Sequence, residues 1–123
     1  MNDKISKTQN KKYDLEERTA IFAEEIIDIC KKTTKSIITN PIIDQLVRSG
    51  TSIGANYCEA NGSSSKKDFK NRILICKREA KETKYWLRIL GKTYEEVKED
   101  SKKLWQEAQE LTLIFSKIAN NTK

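Results

Sequence analysis

Apolar residues return at spacings of three and four along most of the chain, and that period predicts helices rather than strands. The first helix is expected from about Asp14 to Ile37, with Leu15, Thr19, Phe22, Ile26, Ile29, Cys30, Thr33 and Ile37 on one face. Its acidic start (Asp14, Glu16, Glu17) and later Lys31, Lys32 and Lys35 suit the helix dipole. The second helix reads from Asn40 as N-cap and Pro41 at the first helical position to a stop at Gly62. Its inner face is Ile42, Ile43, Leu46, Val47, Gly50, Ile53, Gly54, Tyr57 and Ala60. Glycine costs about 1 kcal/mol of propensity inside a helix, so Gly50 and Gly54 imply close approach of another element.

A Ser63–Ser64 loop leads to Ser65, which with Asp68 three residues on resembles a capping box opening a third helix that extends to about Gly91. The fourth helix, from about Glu95 to Ala119, carries Val97, Ser101, Leu104, Ala108, Leu111, Phe115 and Ile118 as a bundle seam. Short connections favour antiparallel neighbours, so the expected fold is an all-α, antiparallel up-and-down four-helix bundle. The alternative is a three-helix core with a loosely docked first helix. At 123 residues the chain suits one domain, read as a mobile basic tail over 1–12, the bundle over 13–120 and a C-terminal tail over 121–123.

The third helix has more than one apolar side. At about 100° per residue, Phe69, Ile73, Cys76, Ala80, Thr83 and Leu87 form its core face. Ile75, Trp86 and Ile89 fall elsewhere, with Leu90 between the groups, and these four are the expected oligomer interface, since a contiguous apolar strip usually marks a contact surface.

Charge changes the picture further. The chain is +6 overall, yet residues 65–92 alone carry ten cations against three carboxylates. Lys66, Lys70, Lys77, Lys81, Lys84 and Arg88 share a sector of about 60° with no acid among them. Like charges at i and i+4 cost helix stability, which calls for an explanation. One explanation is a solvated face balanced by acids of the first and fourth helices; the other is phosphate contact along RNA or DNA. On the second helix, Gln45, Arg48, Ser49, Ser52, Asn56 and Glu59 form a polar line away from the core face, suited to packing or interface hydrogen bonds.

Catalytic chemistry finds little support. The chain has no histidine, the usual base near neutral pH and the commonest metal ligand. Neither GxxxxGK nor GxGxxG occurs, and Cys30, Cys58 and Cys76 read as buried thiols of a reducing compartment. No enzyme activity, metal, cofactor or small-molecule substrate is expected. With no apolar run near the roughly 18 residues of a membrane helix and no signal-peptide pattern, the expectation is a soluble, cytoplasmic protein without a membrane partner.

The segments LVRSGTSIGANYCE (46–59), SSSKKDF (63–69) and KREAKETKYWLRIL (77–90), in that order, resemble the four-helix-bundle family encoded in intervening sequences of bacterial 23S rRNA genes. The resemblance covers most of the chain. It implies an antiparallel bundle assembling as a ring-like homopentamer, a form shared with the accessory variability proteins of diversity-generating retroelements, where a basic surface is linked to nucleic acid. Arg48, Ser52, Asn56 and Glu59 match the family's second-helix motif; Glu82, Tyr85, Trp86 and Arg88 match its third. Cys58 and Ala60 depart from it modestly. Two functions stay open: a homo-oligomer that binds nucleic acid, and a structural module that recruits another protein.

Overall fold

A computed structural model describes residues 11–123, with side chains from Leu15 onward. Its order is α1 (Lys11–Lys32), α2 (Thr39–Asn61), α3 (Lys66–Thr93), a 3-10 turn (Glu95–Val97) and α4 (Lys98–Asn121). Each helix packs on its neighbour in sequence, and α1 closes the ring against α4 less extensively. The result is an antiparallel up-and-down four-helix bundle. Phe22, Ile26 and Ile29 of α1 are fully enclosed, so α1 is a wall of the core and not a loosely docked appendage. Each such side chain stabilises the fold by about 1.5–3 kcal/mol.

The seam expected on α4 is buried from Ser101 through Phe115, and Tyr57 reaches across from α2 to meet the Phe115 ring at a centroid distance of 5.9 Å. The close approach implied by the α2 glycines is to α1. A Cβ at Gly50 would stand 2.9 Å from Ile26 Cγ1, and one at Gly54 would stand 3.0 Å from Thr19 Oγ1. Ser65 caps α3 as expected, its side chain accepting from the Asp68 N–H at 3.1 Å.

Several boundaries differ from expectation, each for a local reason. Lys11 and Lys12 belong to α1 rather than to the tail; residues 1–10 of the expected mobile tail lie outside the described residues. Helix α1 stops at Lys32, five residues early, and Ile37 is 89% exposed instead of facing the core. Hydroxyls organise the connection. Ser36 Oγ accepts from the N–H groups of Ile38 at 3.2 Å and Thr39 at 3.0 Å. Thr39 donates its hydroxyl to the Thr34 carbonyl at 2.7 Å. Ser36 therefore satisfies the N–H groups of Ile38 and Thr39, ahead of those that Asn40 was expected to cap, and Pro41 falls inside the helix it was expected to open. Cys30 and Cys76 are buried, whereas Cys58 is exposed on the flank of α2. Helix α3 runs two residues past Gly91, and α4 begins after a 3-10 turn.

Candidate nucleic-acid interface

Helix α3 positions nearly all the groups of interest, because its 28 residues run the length of the bundle between α2 and α4. On the side toward α2, Arg48, Ser49 and Asn56 of the expected polar line turn out to meet α3. Arg48 Nη1 donates to Glu79 Oε1 at 3.2 Å, and Nη2 donates to Glu82 Oε2 in a short contact. Glu82 also accepts from Trp86 Nε1 at 3.1 Å. The Arg48 guanidinium, and secondarily the indole N–H, hold the Glu82 carboxyl below the usual carboxylate range against the opposing effect of burial. Arg48 is raised in turn by its bond to Glu82.

The same seam extends in both directions. Arg72 donates to Asn56 Oδ1 at 3.0 Å, and Asn56 Nδ2 bonds the Ser52 carbonyl at 2.8 Å. Ser52 donates to the Arg48 carbonyl at 2.6 Å, so it serves its own helix. Deeper in, the Thr83 and Ser49 hydroxyls meet at 3.0 Å, and Thr83 also reaches the Glu79 carbonyl at 2.7 Å. Of the family-motif positions, Arg48, Ser52, Asn56, Glu82 and Trp86 thus lie in one network. Glu59 is exposed outside it, and Tyr85, 56% exposed, stands edge-on to Trp86 at 4.9 Å.

The expected interface residues separate. Leu90 is fully enclosed by its own chain and belongs to the core, because its position between the two groups falls within reach of the bundle interior. Ile75, Trp86 and Ile89 are half-buried, with Trp86 and Ile89 packed against the core. Larger apolar exposure lies elsewhere, at Ile37, Ile38 (60%) and Leu113 (58%).

Toward α4, the six expected cations occupy one edge of α3. Lys66, Lys70, Lys81 and Arg88 are exposed, and Lys77 and Lys84 are half-buried. Among the described residues, none of the six forms an ion pair with an acid of the chain. Lys84 Nζ bonds the neutral Gln109 Oε1 at 2.5 Å and lies 5.3 Å from the Trp105 ring centroid. Acids of α4 are engaged on the far side: Arg18 of α1 donates to Glu107 at 2.6 and 2.8 Å and to Glu110 at 2.8 Å, and Lys32 reaches Asp100 at 2.9 Å. The balancing of the α3 cations by α1 and α4 is therefore not built from direct pairs.

Sequence reasoning missed Glu79, a carboxylate only 8% exposed, together with Arg72, the Ser49–Thr83 pair and the Trp105–Gln109 seat of Lys84. A signal for Glu79 was present, since it stands one turn before Thr83 on the flank of the core face. For nucleophilic chemistry the two buried thiols are poorly placed: burial pushes Cys30 up to about 11 and Cys76 up to about 12. Among the described residues no cluster of three His, Cys, Asp or Glu side chains could hold a metal, and no helix is long and apolar enough to cross a membrane.

Residues 11–117 match the model of a family described as 23S rRNA-intervening sequence protein. Among solved structures, the chain is similar to a protein with unknown function from the S23 ribosomal protein family of Bacteroides thetaiotaomicron VPI-5482. The two are 32% identical with a TM-score of 0.76, over 85% of this chain and 96% of the other. No curated protein matches.

Proposed function

This chain belongs to the 23S rRNA-intervening sequence protein family, and within that four-helix frame we propose that it acts as a non-enzymatic homo-oligomer that binds the phosphate backbone of RNA or DNA along α3. The observation that carries this reading is the basic edge: six cations without an acidic partner among the described residues, beside a seam where the α3 carboxylates Glu79 and Glu82 are paired with Arg48 of α2. Backbone contact of this kind is tolerant of sequence and driven by counterion release.

Fluorescence anisotropy with a labelled duplex tests it. Six phosphate contacts give a log–log salt slope of about −5, so affinity falls on the order of 10³-fold between 50 and 200 mM salt. Absence of binding at low salt, or a flat salt response, rejects the reading. Assembly, pentameric as the family resemblance implies, draws support from the half-buried Ile75, Trp86 and Ile89. Light scattering checks it: Trp86→Ala should weaken the oligomer more than it lowers helicity, and a monomeric wild type at micromolar concentration rejects assembly.

A second reading, a module that recruits another protein, is favoured by the exposed Ile37–Ile38 pair on the α1–α2 connection. On that reading the chain has no nucleic-acid role, and serine at both positions would remove partner capture while leaving helicity unchanged.

A further inference from the structure

Where the C-terminal part of α3 meets the start of α4, the helices leave a groove of about 750 Å³, a size ordinary for small-ligand sites. Its wall carries Arg88, Lys92, Lys98 and Lys102 against the single carboxylate of Glu95, with Trp105 beside them. Lys102 also makes a loose 3.8 Å pair with Glu99, outside the groove; the remaining three cations have no acidic partner among the described residues. Trp105 is 36% exposed, large for an indole, and Lys84 already lies over its ring.

Ser101 lines the same groove, and its hydroxyl is the one buried side-chain polar atom without a hydrogen-bond partner among the described residues. Steric demand does not explain that hydroxyl. A Cβ at Gly91 would stand 3.0 Å from Ser101 Cβ, so α3 and α4 approach closely here and a small residue is required. Alanine would meet that requirement equally well. The hydroxyl is an addition beyond size, in a wall whose other polar side chains are donors apart from Glu95, and buried polar atoms left without partners are rare enough to ask for a reason.

We propose that this groove seats a nucleotide of single-stranded nucleic acid, its base stacked on Trp105 and its phosphate held by Arg88, Lys92 and Lys98. Arg88 belongs both to the groove and to the basic edge, so a strand running along α3 reaches Trp105 at the end of its track; the proposal in this respect rests on the backbone-binding reading. Duplex satisfies the edge alone, because its bases are stacked on one another and cannot reach the indole, whereas an unpaired base offers its face to the ring.

The chain has two tryptophans, so Trp86→Phe leaves Trp105 as the sole indole reporter. In that full-length variant at low salt, a 12-nucleotide oligoadenylate should quench the emission by half or more. A duplex of equal length should bind by anisotropy while leaving emission nearly unchanged. In a second variant, Trp105→Leu, affinity for the single strand should fall about tenfold and affinity for the duplex should hold. Single-strand binding with unaltered emission and no effect of Trp105→Leu overturns the groove assignment and leaves the edge reading standing. Adenosine monophosphate quenching as tightly as the strand overturns the strand as occupant, and failure of every nucleic acid to bind overturns both readings.

Discussion

Along the edge of α3 that meets α2, Glu79 and Glu82 share Arg48, and Arg72 finds Asn56. Along the edge toward α4, Lys66, Lys70, Lys77, Lys81 and Arg88 meet no acid among the described residues, and Lys84 meets only an amide and an indole. One helix thus carries a matched edge and an unmatched edge. Matched charges at a helix seam fix which residues of α2 face which of α3, and they hold Glu79 in its nearly buried place. Unmatched cations repel one another at i and i+4 and gain no ion pair from the fold. On the proposed function their placement answers to a phosphate backbone outside the chain, and the two edges should then respond oppositely to mutation.

The largest contrast comes from reversing charge on the unmatched edge. Replacing Lys77, Lys81 and Lys84 by Glu should lower nucleic-acid affinity by on the order of 100-fold or more at low salt. Circular dichroism should show the helical content retained; unchanged affinity would mean that this edge is not the binding surface.

The matched edge should show the reverse. Arg48→Met leaves the Glu79 carboxylate without its cation and should lower stability in urea denaturation by about 2 kcal/mol, with nucleic-acid affinity retained. Its pH dependence follows from Glu82, whose carboxyl is depressed mainly by Arg48. A depressed carboxyl contributes stability that is present above its unfolded value, about 4.3, and lost as pH falls through the folded value. Arg48→Met should therefore flatten the acid limb of the stability profile, and an unaltered limb would place its origin elsewhere.

Smaller effects sharpen the contrast. Thr83→Val deletes the buried bond to Ser49 and should cost about 1 kcal/mol in the same denaturation assay, without touching binding. Lys70→Ala should do the opposite, reducing the salt slope of binding by about one while stability stays within error.

The core was legible in the sequence because burial repeats with the helix period, and Leu46, Ile53, Ile73, Leu87, Leu111 and Phe115 all lie where that period puts them. Gly50 and Gly54 announced a close approach, although only the packed structure identifies Ile26 and Thr19 as what approaches. The six-cation edge was visible for the same reason as the core, being a property of one helix alone.

The partners of Arg48 were not legible. Whether its polar line faces solvent or α3 depends on how far α2 is rotated about its axis, which is set by packing across the seam. Local signals also competed. Asn40–Pro41 predicted a start at Pro41, and hydroxyl bonds among Thr34, Ser36 and Thr39 accompany one two residues earlier, at Thr39. Ile37 continued the apolar period past the point where the helix ends, and Leu90 lay close enough to the core face to be drawn into it.

Lysine footprinting tests the contrast most directly: acetylation of every lysine is compared with and without bound nucleic acid and read by mass spectrometry. The account predicts protection concentrated at Lys66, Lys70, Lys77, Lys81 and Lys84, while Lys31, Lys35 and Lys117 react as in the free protein. Protection spread evenly over all lysines, or centred on those of α1, would contradict it.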